Sequence, residues 1–226
     1  MMLRAENITG GYGEALVHRD ISLSVDVGEI LVVAGKNGCG KTTLARLLAG
    51  QNPVVSGRIL WGDTDLTHQQ NWQRKAQGIV YMAQTQFVFD SLSVRDNLSL
   101  AEGNEAELSG YFQLFPRLQE RQDQAAGTMS GGERKILGFV ATMLQSGDVY
   151  ILDEPSEGVQ AENIQKMQSV IQAKVDQGKA VILMEQNLSM IEALAHRVLM
   201  LGSTGLEFEL KGQGITRAAL LEGLRV

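Results

Sequence analysis

Short runs of consecutive apolar residues alternate along this chain with longer stretches of helical period. Residues 29–34, 79–83, 149–152, 180–184 and 197–201 are almost wholly apolar and no longer than a strand. Such runs predict strands covered on both faces, as in a parallel sheet. Between and after them, Lys41–Ala49 and residues 132–144, 161–177 and 188–195 repeat their apolar positions at helical spacing and predict helices. Strands alternating with helices predict an α/β fold with a mostly parallel sheet. Two stretches break the alternation. Residues 1–28, with apolar runs at 3–8 and 21–25, predict a small antiparallel β unit. Residues 85–129 are polar and mostly helical in pattern, with a loop near 102–105, and predict a helical insertion between two core strands. Taken with the helix that follows, the insertion is a subdomain over 85–144, and 1–84 and 145–226 form the core of a single domain. Residues 216–224 predict a short terminal helix.

Composition narrows the field. The chain has 226 residues, is 44% apolar and 20% charged, which suits one folded domain with an insertion. Its net charge of −6 lacks the broad positive field of a nucleic-acid binder, so no nucleic-acid partner is expected. The single cysteine, Cys39, excludes an internal disulfide and a cysteine metal cluster, and His18, His68 and His196 have no metal-ligand spacing. No apolar run approaches the roughly 18 residues that span a bilayer, and the first residues carry no apolar leader. The expectation is a cytoplasmic protein that meets a membrane only peripherally.

The chemistry is concentrated in three places. Residues 35–42, GKNGCGKT, match the phosphate-binding loop pattern, with a buried run before and a helix after. Gly35, Gly38 and Gly40 permit tight turns and close backbone approach, so that N–H groups of Asn37, Cys39 and their neighbours converge on phosphate at a helix N-terminus. Lys41 would reach the β- and γ-phosphates, Thr42 would place its hydroxyl on Mg²⁺, and Thr43 closes the motif. Cys39 reads first as a small residue tolerated at a variable position of the loop; the alternative is a thiol whose pKa the helix N-terminus lowers. Residues 149–154, VYILDE, are an apolar strand ending in two acids. Coupled to a phosphate loop, Asp153 reads as a Mg²⁺ ligand and Glu154 as the group that orients and deprotonates water. Between them, Ser130, Gly131, Gly132 and Glu133 form a helix-capping box.

Ser-Gly-Gly-Glu at this spacing also resembles the signature motif of ATP-binding cassette (ABC) ATPases. The order Tyr12, 35–42, Gln84, 130–133, Asp153, Glu154 resembles an ABC transporter ATPase along nearly the whole chain. FVFDSLSVRDNL at 87–98, LFPRL at 114–118, GTMSGGE at 127–133 and EQN at 185–187 are similar to the ATPase subunits of branched-chain amino acid and urea uptake systems. The resemblance implies a RecA-like P-loop NTPase core and an ATPase that uses ATP and Mg²⁺ at the cytoplasmic face of the membrane. Tyr12 would stack on adenine, Gln84 would touch Mg²⁺ and water, and Ser130 and Gly132 would bind the γ-phosphate held by a second subunit. That implies a head-to-tail dimer, with a paralogue as the second cassette, working with transmembrane permease subunits and indirectly a solute-binding protein. Gln186 stands where most of the family carry a switch histidine; it can hydrogen-bond the γ-phosphate but cannot become cationic. Residues 134–144 and the 156–159 loop also depart from the usual pattern. A weakly hydrolysing partner cassette and a non-transport ABC ATPase therefore stay open at this point.

Overall fold

The chain opens with an antiparallel pair, β1 (Leu3–Tyr12) and β2 (Ala15–Val25), then enters β3 (Ile30–Ala34) and the first helix, α1 (Lys41–Ala49). β4 (Val54–Trp61), β5 (Thr64–Asp65) and α2 (Asn71–Ala76) lead to β6 (Ile79–Met82). Four helices follow without an intervening strand: α3 (Val94–Ser99), α4 (Glu105–Leu114), α5 (Pro116–Glu120) and α6 (Gly131–Leu144). The alternation then resumes through β7 (Val149–Asp153), α7 (Ala161–Asp176), β8 (Ala180–Glu185), α8 (Leu188–Leu194), β9 (Arg197–Gly202), β10 (Gly205–Lys211) and α9 (Arg217–Gly223). This computed structural model describes residues 3–13 and 15–224, so the first two residues of the N-terminal stretch read above lie outside it.

The five apolar runs become the five parallel strands of a six-stranded sheet, ordered β10-β9-β3-β8-β7-β6, with β10 antiparallel to β9. β3, β7 and β8 are buried at every position, because alternate residues feed two different cores. Leu31, Val33, Val149, Ile151 and Ile182 face α1 and the antiparallel sheet. Ile30, Val32, Tyr150, Leu152 and Leu183 face the other way, onto α3, α6, α7 and α8. The α/β architecture read from the sequence is the one observed.

The antiparallel unit is larger than its first strands suggest. It has four strands, ordered β2-β1-β4-β5, and two of them come from beyond α1. Four consecutive residues of β4 are exposed and Gly57 breaks its alternation at φ +87°, so the run does not read as a buried strand. β1 and β2 extend past residues 8 and 21 through irregular register, where Asn7 and Asp20 adopt positive φ. β10 and α2 were likewise unmarked in the sequence. Among the described residues no helix is long and apolar enough to cross a membrane.

α2 is short, and a buried arginine ties it down. Arg74 is 1% exposed and donates to four backbone carbonyls: Leu47 (2.8 Å), Leu48 (2.7 Å), Thr67 (3.1 Å) and Gln69 (3.1 Å). Two of these lie in the last turn of α1, where carbonyls have no helical partner. Gly50 ends that helix in a left-handed turn, and a β-carbon there would stand 2.8 Å from the guanidinium. Burial pushes the Arg74 pKa down to about 10, which leaves it charged at neutral pH. Arg74→Ala should take this donor from all four carbonyls, of which Leu47 keeps the Gly50 N–H at 3.2 Å, and cost ~3 kcal/mol or more of unfolding free energy. Urea unfolding of the two proteins measures it; a loss below ~1 kcal/mol would mean that water or a rearranged loop replaces the arginine.

Candidate active site

Lys41, Thr42, Gln84, Asp153 and Glu154 all grow from the carboxyl ends of parallel strands. The loop after β3 wraps over the sheet as residues 35–40 and delivers Lys41 and Thr42 at the start of α1. Its glycines are required by contact as well as conformation. A β-carbon on Gly35 would lie 2.5 Å from Cys39 Sγ and from the Leu201 carbonyl oxygen. Gly40 sits at φ +104°, and a β-carbon there would stand 2.6 Å from the His18 ring. His18, buried in β2, donates its Nε2 proton to the Gly40 carbonyl at 2.9 Å, and burial lowers its pKa, so it is a neutral buttress under the loop. For Cys39 the lowered-pKa alternative does not hold: burial outweighs Lys41 and the nearby backbone donors and pushes the thiol pKa up.

The Lys41 ammonium is buried and curls back onto its own loop. It donates to the carbonyls of Gly35 (2.8 Å) and Lys36 (3.0 Å) and pairs with Glu154 Oε1 at 2.9 Å. Thr42 Oγ1 donates to Gln84 Oε1 at 3.2 Å, and Gln84 Nε2 donates to Glu154 Oε2 at 3.0 Å and to Glu157 Oε2 at 3.1 Å. Lys41, Thr42, Gln84 and Glu154 thus form one continuous polar chain.

Asp153, the last residue of β7, is fully buried. Its Oδ1 has no hydrogen-bond partner and its Oδ2 accepts from the Tyr81 hydroxyl at 3.4 Å. Burial, reinforced by the Glu154 charge, pushes its pKa up to about 6. Among the described residues no cluster of three or more His, Cys, Asp or Glu side chains is arranged for a metal ion. The Asp153 carboxylate, the Thr42 hydroxyl and the Gln84 amide oxygen instead make an all-oxygen set. That set fits a hard divalent ion which draws its remaining ligands from water and phosphate.

Three neighbours of this chain lie in stretches noted in the sequence but were not singled out there as site residues. Glu185, 1% exposed at the end of β8, accepts the backbone N–H groups of Ser156, Gln186 and Asn187 at 2.9–3.1 Å and thereby ties two loops together. Gln186 follows it at the rim. Lys135 of α6 is 4% exposed; it donates to the Gln84 carbonyl at 3.0 Å and lies 4.8 Å from the centre of the Phe87 ring. Glu157 is the third. Acids and lysines of this kind read as solvated surface; the fold encloses Glu185 and Lys135, while Glu157 stays exposed beside Gln84.

Tyr12 and residues 130–132 lie apart from that chain. Tyr12 is 45% exposed, and its hydroxyl accepts from Arg46 Nη1 at 3.3 Å. Ser130 caps α6, and Glu133 reaches back to the Ser130 backbone N–H (3.1 Å) and to Arg121 (3.1 Å), so the capping box exists as read. A β-carbon on Gly132 would lie 2.7 Å from the Gly158 carbonyl oxygen. Ser130, Gly132 and Gly158 border a cleft of about 630 Å³ that also presents Arg117, Arg121 and Lys166. Glu133 and Glu162 line it too and pair with Arg121 (3.1 Å) and Lys166 (2.7 Å), and no residue of the phosphate loop borders it, so the loop and this cleft are separate surfaces of one chain.

The family model for the ABC transporter matches residues 18–157. The high-affinity branched-chain amino acid transport ATP-binding protein BraG of Pseudomonas aeruginosa is 32% identical over 206 residues, covering 88% of each chain. The lipopolysaccharide export system ATP-binding protein LptB of Escherichia coli K12 is 29% identical over 204 residues, covering 86% of this chain and 84% of that one. A solved structure of an ATP-binding subunit of an ABC transporter superposes with a TM-score of 0.85 at 22% identity, over 99% of this chain and 98% of that one.

The lone Asp153 carboxylate has a thermodynamic signature. Its folded pKa, about 6 against 3.8, lies above the unfolded value, so the folded chain binds the proton more tightly. Its ionisation therefore costs stability progressively as pH rises through that interval, and in full above about pH 6. At about 1.4 kcal/mol per pKa unit, the cost is ~1–3 kcal/mol. Asp153→Asn should be more stable than the parent by that amount in urea unfolding at pH 7 without divalent cation. The advantage should disappear near pH 4; an equal or less stable variant at pH 7 would show that the carboxylate is compensated.

Proposed function

The chain belongs to the ABC transporter family, whose ATP-binding domains hydrolyse ATP, and we propose that it energises uptake of branched-chain amino acids, urea or related amides. The observation that carries the catalytic half of this reading is the buried polar chain Lys41–Glu154–Gln84–Thr42 beside Asp153, whose Oδ1 has no hydrogen-bond partner. What supports the solute class is the resemblance of residues 87–98, 114–118 and 127–133 to that transport group, together with the relative from Pseudomonas aeruginosa. The relative from Escherichia coli, named for export, supports a second reading in which an equivalent subunit drives an export system.

In the proposed reaction, backbone N–H groups of residues 35–43 and the N-terminus of α1 receive the β- and γ-phosphates. Lys41 exchanges its Glu154 partner for phosphate oxygens, which frees that carboxylate. Glu154 then orients water for in-line attack and takes up its proton. Mg²⁺, held by Thr42, Asp153 and Gln84, would neutralise charge developing on the β- and γ-oxygens. Gln84 holds Glu154 and the water in register, and Gln186 would donate to the γ-phosphate without adding charge. Tyr12 stacks on the base. The γ-phosphate meets Ser130 and Gly132 of a second cassette, a paralogue, in a head-to-tail dimer; Arg117 adds positive charge to that cleft, where Arg121 and Lys166 are paired with Glu133 and Glu162. Residues 85–144 act as the subdomain that engages permease subunits at the cytoplasmic face of the membrane, and those subunits in turn meet a solute-binding protein.

Glu154→Gln keeps an oxygen beside Lys41 and removes the base. It should leave the ATP dissociation constant within about threefold while cutting turnover ~10²-fold or more. Equilibrium nucleotide binding and phosphate release measure the two; near-parent turnover would overturn the assignment of Glu154. For the transport reading, the tagged chain should recover multi-spanning permease subunits and a second cassette from gently solubilised native membranes. Uptake of leucine, isoleucine, valine or urea should fall when Glu154→Gln replaces the parent in cells. Recovery of soluble partners alone would overturn the transport role, and unchanged uptake with impaired export would favour the second reading.

A further inference from the structure

Gln84 is gripped from two directions. Its side chain faces Thr42, Glu154 and Glu157, while its backbone carbonyl accepts the Lys135 ammonium of α6 at 3.0 Å. The grip on the backbone is reinforced by the next residues of the same loop. Gln86 turns the chain at φ +55°, and the Phe87 ring then lies 4.8 Å from Lys135 Nζ and against Gly138, where a β-carbon would overlap the ring. Lys135 and Gly138 are three apart on one helix and therefore share a face. A lysine and a glycine thus make the seat for residues 84–87. Lys135 is 4% exposed and forms no ion pair within 4 Å among the described residues; its compensation is the carbonyl, the ring face and the more distant carboxylates of Glu157, Asp153, Glu154 and Glu185. A buried ammonium with so few direct partners is costly unless it holds something in place. Lys135 also lies within the 134–144 stretch that departs from the family pattern.

We propose that Lys135 is a positioning residue of the ATPase reaction: it binds the 84–87 loop to α6, so that residues 130–132 at the N-terminus of that helix and the glutamine facing Thr42 and Glu154 move as one body. The inference rests on the reading of Gln84 as part of the active site. α6 runs from the cleft, at Ser130, to the seat of Phe87, at Gly138, in just over two turns. A rigid helix of that length transmits a displacement at Ser130 to the Gln84 carbonyl without loss. Capture of phosphate in the cleft is thereby felt at the other nucleotide surface of the same chain.

The test compares the full chain with Lys135→Met, Lys135→Arg, Phe87→Leu and Gln84→Ala, using MgATP as the probe. Lys135→Met should speed amide exchange over residues 84–88 and cut turnover at saturating MgATP, each about tenfold, with the MgATP dissociation constant within about threefold. Lys135→Arg should restore both. Phe87→Leu, which loosens the same seat from the loop side, should reproduce the faster exchange. Unchanged exchange at 84–88 in Lys135→Met overturns the proposal. So does an arginine variant as impaired as the methionine one, or a loss of turnover that merely follows lost nucleotide affinity or a lowered melting temperature. Slow turnover in Gln84→Ala with normal turnover in Lys135→Met removes this inference alone; full turnover in Gln84→Ala removes the reading of Gln84 and this inference with it.

Discussion

A buried ion pair reaches across one strand of the central sheet, and the architecture of the site follows from what it takes to make it. Lys41 begins the helix after β3 and Glu154 follows the end of β7, yet β8 lies between those two strands. The pair can close at 2.9 Å only if three parallel strands end at one level. They do: Ala34 registers with Glu185, and Asp153 with Met184. A slip of one residue in β8 would turn its apolar set to the wrong cores and carry Glu185 away from the loops it joins. The sheet's two-sided burial is therefore also the alignment device for the chemistry. The pair itself is held by more than attraction: Lys41 has two carbonyls and Glu154 the Gln84 amide, the extra hydrogen bonds a desolvated pair requires.

The two apolar cores divide the labour. One, between the parallel and antiparallel sheets, encloses α1 and fixes the phosphate loop; His18 supports its last glycine from below and Arg74 secures the far end of the helix. The other joins the opposite face of the parallel sheet to α3, α6, α7 and α8 without a break, so the helical segment is packed onto the sheet. Motion of that segment has to shear packed side chains past one another. Under that constraint, the links between α6 and the nucleotide-facing groups run through a few polar contacts at the seam.

The phosphate loop and the acids ending β7 were legible because each joins a distinctive local pattern to a strand buried on both faces, and the capped helix at Ser130 because its capping box is itself a local pattern. The parallel strands announce themselves for the same reason: with both faces covered, no polar residue interrupts them. β4 and β5 stayed silent in the antiparallel sheet, and β10 as the antiparallel edge strand of the parallel one, because exposed polar positions mask each run. α2 is only six residues long and is anchored by one guanidinium rather than an apolar stripe. Arg74, Lys135 and Glu185 expose the deeper limit. Their roles depend on backbone carbonyls and N–H groups supplied by distant segments, and a sequence carries no local mark of which charged side chain the fold will enclose.

Glu154 adopts φ +47°, a backbone region that a residue with a long side chain enters at a cost and that glycine and asparagine enter readily. Glycine or asparagine would relax that strain but could not give the buried Lys41 ammonium its carboxylate. Glutamate there sets backbone strain against the compensation of a buried charge. Positions 41 and 154 are therefore bound to change together: drift at one alone leaves either an enclosed charge without its partner or a strained backbone with nothing to hold.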